Sequence, residues 1–187
     1  MGFLTLTARI LVGISGTVIA IEPQPYNCEK VLTNCAINNF NNILVYVAAA
    51  GDANRSVTLK AQAQTDKSRL TLAGQGVNDI KQSFIVPLVR LDKVLADQNV
   101  DHVDLIKIDV EGFELEVLRG LGERVAQVDN IILEVLPVTP LPIVSEIANV
   151  LTASGFNLRT VDGKAWRPGQ PCPESNVWAG RRTIMQS

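Results

Sequence analysis

Two kinds of apolar pattern alternate along the N-terminal part of the chain. Thr17–Ile21 and Ile43–Ala48 are continuous apolar runs rich in β-branched residues, which is typical of parallel strands buried on both faces. Phe3–Val12 and Pro25–Ile37 are predicted to be helices, because glycine follows the first segment and proline opens the second. This alternation predicts an α/β fold with a mostly parallel sheet.

The rest of the chain continues the alternation. Ala61–Lys81 is polar and is predicted to be a loop, and the strand that contains Pro87 is expected at a sheet edge or a bulge. The last two strands predict an antiparallel C-terminal hairpin, and no linker divides the single domain predicted over residues 1–187. The further predicted helices are Leu91–Gln98, Phe113–Leu121 and Ile143–Ser154, and the further strands are Arg55–Lys60, Phe84–Arg90, Val103–Asp109, Ile131–Val135, Phe156–Val161 and Val177–Arg182.

Composition fits one globular domain and argues against several kinds of partner. The chain has 187 residues, 47% of them hydrophobic, and a formal net charge of -2. Arg181 and Arg182 form the only adjacent basic pair, whereas nucleic-acid-binding proteins show a basic face. Met1–Ile21 could be a signal peptide, but Arg9 and two glycines interrupt the apolar run and favour a helix followed by a buried strand. We therefore expect no nucleic-acid or membrane partner, and a homo-oligomer stays open.

The cysteines indicate a reducing compartment. Cys28 and Cys35 lie two turns apart on a predicted helix, roughly 10 Å along its axis, which is too far for a disulfide. The third cysteine is Cys172, and the only histidine is His102, so a structural zinc site is excluded. The pattern predicts a cytoplasmic protein.

Acidic residues follow several of the predicted strands. Glu22, Asp52, Asp109 with Glu111, and Glu134 lie at or near successive strand ends. Ligands of open α/β sheets bind beyond the carboxyl ends of the strands. An acidic edge of this kind suits ribose hydroxyls, a cation or a substrate proton, although Glu22 equally fits a solvated acid at a strand end.

The segment LIKIDVEGFELEVLRG, at 105–120, is the most specific in the chain. Lys107 and Asp109 are two residues apart on an otherwise apolar strand, so they point to the same face. A buried charge is costly unless it is paired or functional, which favours a functional site that includes Glu111. The structural alternative is a Lys107–Asp109 ion pair with Glu111 at the start of the next helix.

The same segment, IKIDVEGFELEVLRG, resembles the signature of FkbM-type methyltransferases. VIAIEPQPYNCEKVLTNCAINN, VYVAAAGD, VPLVRLDKVL, NIILEV and SNVWAGRR resemble other parts of that family in the same order, so the resemblance spans Gly2 to Arg182. It implies a Rossmann-like class I methyltransferase fold that uses S-adenosyl-L-methionine to methylate a hydroxyl of a small molecule or sugar. It also implies these roles: Glu22 at the cofactor ribose; Ala49 and Asp52 at the adenine; Asp109 and Glu111, with Lys107, beside the sulfonium and the acceptor; Glu134 toward the acceptor pocket. Asn176 precedes the last predicted strand, where a contact with the substrate and a role in the turn fit equally well.

The chain departs from the family at its beginning. The family starts with an apolar strand and a loop like Asp-x-Gly-Ala-Asn-x-Gly, whereas MGFLTLTAR matches the segment directly after that loop, with Gly2 as the last glycine of the loop. We therefore expect a truncated domain that lacks the first central strand, leaves two strand edges unpaired and binds cofactor weakly or not at all. An inactive fragment or interaction domain of the same fold is the main alternative. A nicotinamide-dependent oxidoreductase is disfavoured because no GxGxxG is present.

The acceptor hydroxyl must lose its proton during methyl transfer. His102 precedes the signature strand and is interpreted as a surface residue, so Asp109 or Glu111 is the expected base. A metal held by Asp109, Glu111 and Glu134 is the alternative, and nothing in the spacing of these residues selects between the two. The acceptor pocket is expected in Ala61–Lys81 and the C-terminal hairpin.

Overall fold

A computed structural model of the chain describes residues 2–62, 68–70, 80–172 and 176–181. The helices and strands alternate along most of this length, as predicted. The helices are α1 Phe3–Val12, α2 Pro25–Ile37, α3 Leu91–Asp97, α4 Glu114–Leu121 and α5 Leu141–Ala153, with a 3₁₀ helix at Gly122–Gln127. The strands are β1 Val18–Glu22, β2 Ile43–Val47, β3 Ala49–Ala50, β4 Arg55–Gln62, β5 Ser68–Leu70, β6 Ile80–Val89, β7 Val103–Ile108, β8 Val128–Glu134, β9 Asn157–Thr160 and β10 Asn176–Gly180.

The described strands form three sheets. In one, β1 runs parallel to β2, with Val18 opposite Ile43. In another, β7 runs parallel to β8, and β10 lies antiparallel between β8 and β9, which confirms the antiparallel C-terminal pair. Among the described residues β1 pairs only with β2, and β7 only with β8. The predicted continuous sheet and its missing central strand therefore stay predictions.

A third sheet, with strand order β3-β6-β4-β5, was not predicted. The loop prediction for Ala61–Lys81 is wrong at its ends, because β4 continues to Gln62, β5 occupies Ser68–Leu70 and β6 begins at Ile80. Residues 63–67 and 71–79 of that segment lie outside the described chain, as does Arg182. The long β4–β6 ladder, from Arg55 opposite Leu88 onward, extends both strands into polar sequence.

Pro87 shows how β6 combines an inner and an edge position. On one side it lies opposite Ser56 of β4. On the other side β3 pairs only with Leu88 and Val89, so the described chain offers no strand partner beside Pro87. Proline lacks a backbone donor and is tolerated at such an edge, which agrees with the sequence expectation.

The main hydrophobic core lies between the β7-β8-β10-β9 sheet and helices α4 and α5. Leu121 of α4, Ile131 and Leu133 of β8, and Ile147 and Leu151 of α5 are fully buried. Burying one such side chain contributes roughly 1.5–3 kcal/mol, so this sheet is firmly held against α4. The helix after the β7 turn is thus part of the best-packed region of the chain.

Two smaller sequence expectations can be compared with the structure. Cys28 and Cys35 are buried free cysteines, which confirms that these two form no disulfide with each other. None of the described helices combines the length and apolar character that a bilayer crossing requires.

Candidate active site

The turn after β7 has an unusual backbone. Ile108 ends the strand in the core, and Glu111 and Gly112 then adopt φ angles of 53° and 106°. A left-handed conformation costs a non-glycine residue roughly 1–2 kcal/mol. Such strain is concentrated at functional sites. The turn presents Asp109 and Glu111 before α4 begins.

Lys107 joins three elements at this edge. Its Nζ donates to Asn176 Oδ1 at 3.3 Å and to the Ile108 carbonyl oxygen at 3.3 Å, and it lies 3.8 Å from Asp109 Oδ2. The Lys107 side chain is 28% exposed and that of Asp109 is 40% exposed. The structure therefore realises the predicted ion pair while it leaves the carboxylate open to solvent. An ion pair and an accessible acidic group coexist here, so the structural and functional interpretations are compatible.

Glu134, at the end of β8, completes the cluster. The hydrogen bond that it shares with Asp109, its partial burial and the charge of Asp109 raise its pKa above the ordinary value, while Lys107 opposes the shift. The negative charge of Glu111 also raises the pKa of Glu134, by less than the charge of Asp109 does. Two adjacent carboxyl groups hold a proton more tightly than one exposed acid does. The cluster thus contains a proton acceptor beside a fixed cation.

The metal alternative finds no support in this geometry. Within the described ranges, no three His, Cys, Asp or Glu side chains are grouped so that they could share a metal ion. Asp109, Glu111 and Glu134 lie in those ranges, so they do not form a three-ligand site as placed.

Glu22 lies at the carboxyl end of β1, at the start of a second turn. Its Oε1 accepts the Gln24 N–H at 2.8 Å, and its carbonyl oxygen accepts the Cys28 thiol at 3.1 Å. Pro25 then begins α2 as the sequence predicted. In the first turn of α2, Asn27 is only 6% exposed, and its Oδ1 has no hydrogen-bond partner within the described chain. Glu22 and Asn27 thus offer two acceptor groups in one short segment.

A third turn, Gly51–Asp52, is held by a residue that the sequence did not single out. Arg90 donates from Nη1 to the Asp52 carbonyl oxygen at 3.0 Å, and its Nε donates to Asp92 Oδ1 at 3.0 Å. The Gly51 N–H donates to the Val89 carbonyl oxygen at 3.0 Å. Asp52 is half-buried. An arginine before a helix carries no sequence signal for this role, because its partner lies 38 residues away.

Ala49 and Gly2 have structural roles that limit what they can offer a ligand. Ala49 is 1% exposed and belongs to the core of the third sheet, so any cofactor contact there would come from its backbone. Gly2 precedes α1 with φ 80°, and a Cβ at this position would lie 2.9 Å from Val31 Cγ2. Its place in a cofactor loop stays a prediction.

The three turns start from one hydrophobic cluster. Ala50 and Ile108 belong to the main core, and Ile21 packs against it. Each of these residues directly precedes a predicted site residue or turn: Ile21 precedes Glu22, and Ile108 precedes Asp109. Because the residues before the three turns share one hydrophobic cluster, the turns are consistent with a position at one edge of the domain. The side-chain contacts described there link Lys107, Asp109, Glu134 and Asn176.

Asn176 and His102, two further residues considered in the sequence, lie at a strand start and at the surface. Asn176 begins β10, opposite Glu134 in the antiparallel register, so it is a strand residue of the cluster and not only a turn residue. His102 is 57% exposed and lies 3.6 Å from Asp104 and Asp129 carboxylate oxygens. Its surface position agrees with the sequence interpretation.

Glu114 was missed by sequence reasoning. Its side chain is 2% exposed, and its Oε1 accepts the Gly112 N–H at 3.0 Å. An acid in the first turn of a helix is ordinary, so no sequence pattern indicated a buried carboxylate there.

Comparison with known proteins places the chain in a family. The family described as Methyltransferase FkbM domain matches residues 2–158. This range includes Glu22, Lys107, Asp109 and Glu134, whereas Asn176 lies beyond it.

Two curated relatives share part of the chain. Methyltransferase 1 of Beauveria bassiana (strain ARSEF 2860) is 27% identical over 135 residues, which are 63% of this chain and 54% of that protein. Methyltransferase sdnD of Sordaria araneosa is 38% identical over 94 residues, 46% of this chain and 35% of that protein. The matched parts are thus about half and about a third of the length of these relatives.

A solved structure shares the fold. The crystal structure of methyltransferase FkbM from Methylobacillus flagellatus KT superposes with a TM-score of 0.57 and 17% identity, covering 95% of this chain and 40% of that one. At this identity the similarity supports the α/β architecture alone.

Proposed function

The chain belongs to the FkbM methyltransferase family, and from this premise we propose that it uses S-adenosyl-L-methionine to methylate a hydroxyl oxygen of a small molecule or a sugar. The observation that carries the proposal is the cluster of Lys107, Asp109 and Glu134 inside the family match. Asp109 is accessible there, beside a cation and a second acid.

The residues of the Glu22 turn fit the nucleoside part of this methyl donor. Ribose hydroxyls are hydrogen-bond donors, and a carboxylate at a strand end accepts them. Glu22 is half-buried at such an end, and Asn27 Oδ1 nearby in sequence is a buried acceptor with no partner among the described residues. Glu22 would hold the ribose, and the backbone at Ala49 and the half-buried Asp52 would border the adenine. When bound, S-adenosyl-L-methionine supplies a methyl group activated by the sulfonium.

The Asp109–Glu134 pair would accept the proton of the acceptor hydroxyl. A base must come within hydrogen-bond reach of the proton that it removes, and the exposed Asp109 carboxylate can meet a substrate from solvent. Lys107 and Asn176 would keep Asp109 in place, since they connect β7 to β10. Glu111, in the same turn, is the second candidate base.

The acceptor is proposed to be a small molecule or a sugar, with neither nucleic acid nor a membrane as a partner. The net charge of -2 gives no electrostatic attraction for nucleic acid or an anionic membrane surface. We propose that the protein acts in the cytoplasm, where the thiols of Cys28 and Cys35 stay reduced.

Methyl transfer from radiolabelled S-adenosyl-L-methionine to a panel of hydroxylated small molecules and sugars tests the proposal. We expect transfer by a longer polypeptide that contains this chain, weak or no transfer by the 187 residues alone, and a loss of about 10²-fold or more when D109N is introduced into the active form. D104N is the matched control, because Asp104 lies on the same strand with a 91% exposed side chain.

The outcomes separate the alternatives. An inactive fragment or interaction domain would give no transfer by either polypeptide, and calorimetry would detect no binding of S-adenosyl-L-methionine. Unchanged turnover in a folded D109N would remove Asp109 from the proposed role, while loss in D104N as well would point to damage of β7 as a whole.

A further inference from the structure

Glu114, the first residue of α4, has a buried carboxylate, and carboxylates are rarely buried in proteins. It opens α4 directly after the acidic turn, and only 2% of it is exposed. Burial raises the pKa of this side chain, which means that the protein disfavours its charged form there. A buried polar group persists when specific hydrogen bonds compensate for the lost water. The partners of Glu114 therefore indicate what the residue does.

Those partners are backbone amides of the turn. Glu114 Oε1 accepts the Gly112 N–H at 3.0 Å. Hydrogen bonds from the backbone of Gly112, of Glu114 itself and of Val110 oppose the rise in its pKa. The Glu114 carboxylate thus holds the amide that directly follows Glu111. Without it, this N–H group at the start of α4 would lose its hydrogen-bond partner.

The turn needs such a restraint because its backbone is held away from common conformations. Glu111 has φ 53° and Gly112 has φ 106°, and a Cβ at Gly112 would meet no atom within 4 Å. Crowding around Gly112 therefore does not impose the geometry. A hydrogen bond from its amide to Glu114 can, because that bond fixes the peptide between Glu111 and Gly112.

We infer that Glu114 is a positioning residue, whose buried carboxylate holds the Asp109–Gly112 turn so that Asp109 and Glu111 stay aimed at the acceptor. This inference rests on the proposed function for its catalytic consequence, but not for its structural one. Glu114 makes no proton transfer, because its side chain is enclosed by the protein. It acts through the turn.

Glu116 provides a matched control. It lies in the same first turn of α4 and carries the same charge, but it is only half-buried and its charge acts on Arg119. Replacing Glu116 removes the same helix-dipole interaction and leaves the turn amides untouched. An effect that is seen in E114A and absent from E116A therefore shows that the turn has lost its hydrogen bond to Glu114.

The test compares E114A, E114Q and E116A in the polypeptide that shows methyl transfer. We expect kcat to fall by about 10²-fold in E114A, because a displacement of about 1 Å in a reacting group has an effect of this size. The KM for the methyl donor should change less than kcat does, since Glu22, which would hold the ribose, lies in another turn. E114Q should stay near the parent, because its amide oxygen still accepts the Gly112 N–H.

A second readout does not depend on activity. Amide hydrogen exchange at Gly112 should be protected in the parent, E114Q and E116A, and the protection should be lost in E114A. If the parent shows no methyl transfer, the proposed function fails while this exchange pattern still decides the inference. Equal protection in E114A and the parent would overturn it, as would a folded E114Q with unprotected Gly112. If E114A does not fold, the E114Q comparison carries the test.

Discussion

Replacing Gly120 with alanine sets two physical effects against each other. Gly120 lies inside α4, where alanine is favoured over glycine by roughly 1 kcal/mol per residue. On helix propensity alone, G120A should stabilise the protein. The tertiary contact predicts the opposite, because α4 approaches the Gly51 turn at this residue.

The structure gives the distances that an alanine side chain at position 120 would have to accommodate. A Cβ on Gly120 would lie 2.0 Å from the Gly51 carbonyl oxygen and 3.0 Å from its carbonyl carbon. Both atoms belong to the backbone, so a side-chain rotation cannot relieve the clash. The helix or the turn would have to move by about 1 Å, and overpacking of this kind costs roughly 1–3 kcal/mol and at times more. Because the clash is with backbone atoms, the upper part of this range applies, about 2–3 kcal/mol, and subtracting the helix-propensity gain of about 1 kcal/mol leaves an expected net loss of about 1–2 kcal/mol.

Urea unfolding followed by circular dichroism measures the free energy of unfolding of G120A and of the parent. In a separate thermal scan, a loss of about 1–2 kcal/mol should lower the midpoint of unfolding by roughly 2–8 °C for a domain of this length. E116A serves as the control, because it also introduces alanine into α4 but at a half-buried position, and it should lie within about 0.5 kcal/mol of the parent. A G120A protein as stable as the parent, or more stable, would show that α4 does not press against Gly51.

The remaining predictions concern charges at the site. Glu134 binds its proton more tightly in the folded chain than in the unfolded one, since its pKa is raised, so stability should fall as the pH rises through its ordinary value and then through the raised one. E134Q should flatten this fall in urea titrations carried out from about pH 4 upward, and a parent that gains stability as the pH rises through the ordinary pKa of a glutamate would contradict the sign. R90M should free the Asp52 carbonyl oxygen and lower the urea midpoint of unfolding in the same titrations, whereas an unchanged midpoint would remove Arg90 as the anchor of that turn.

The sequence predicted the elements whose patterns are local. The bounds of α1 and α2 agree with the structure residue by residue, because Pro25 and the glycine after Val12 mark them. The signature segment was also found, since a charged pair on an apolar strand is visible without knowledge of the fold.

The features that escaped prediction depend on contacts between distant segments. β6 begins at Ile80, in sequence without strand character, because β4 supplies its hydrogen-bonding partner. The Arg90 contact with Asp52 and the fit of Gly120 against Gly51 likewise join parts of the chain that sequence spacing does not relate. Glu114 differs, since its partner is two residues away. Its burial could not be predicted, because burial depends on how α4 packs.

The position of β10 explains how the candidate site is assembled. A hairpin of β9 and β10 was predicted, but hairpin order alone does not say which of the two strands meets β8. β10 does, and it runs antiparallel, so its first residue lies opposite the last residue of β8, Asn176 opposite Glu134. An antiparallel strand thereby brings its N-terminal end to the edge where β7 and β8 have their carboxyl ends. Lys107 can then reach Asn176, 69 residues along the chain, and Asp109 from one position. The place of Asn176 in the cluster therefore follows from one reversal of strand direction, which gives Lys107 a neutral partner beside the acid that it pairs with.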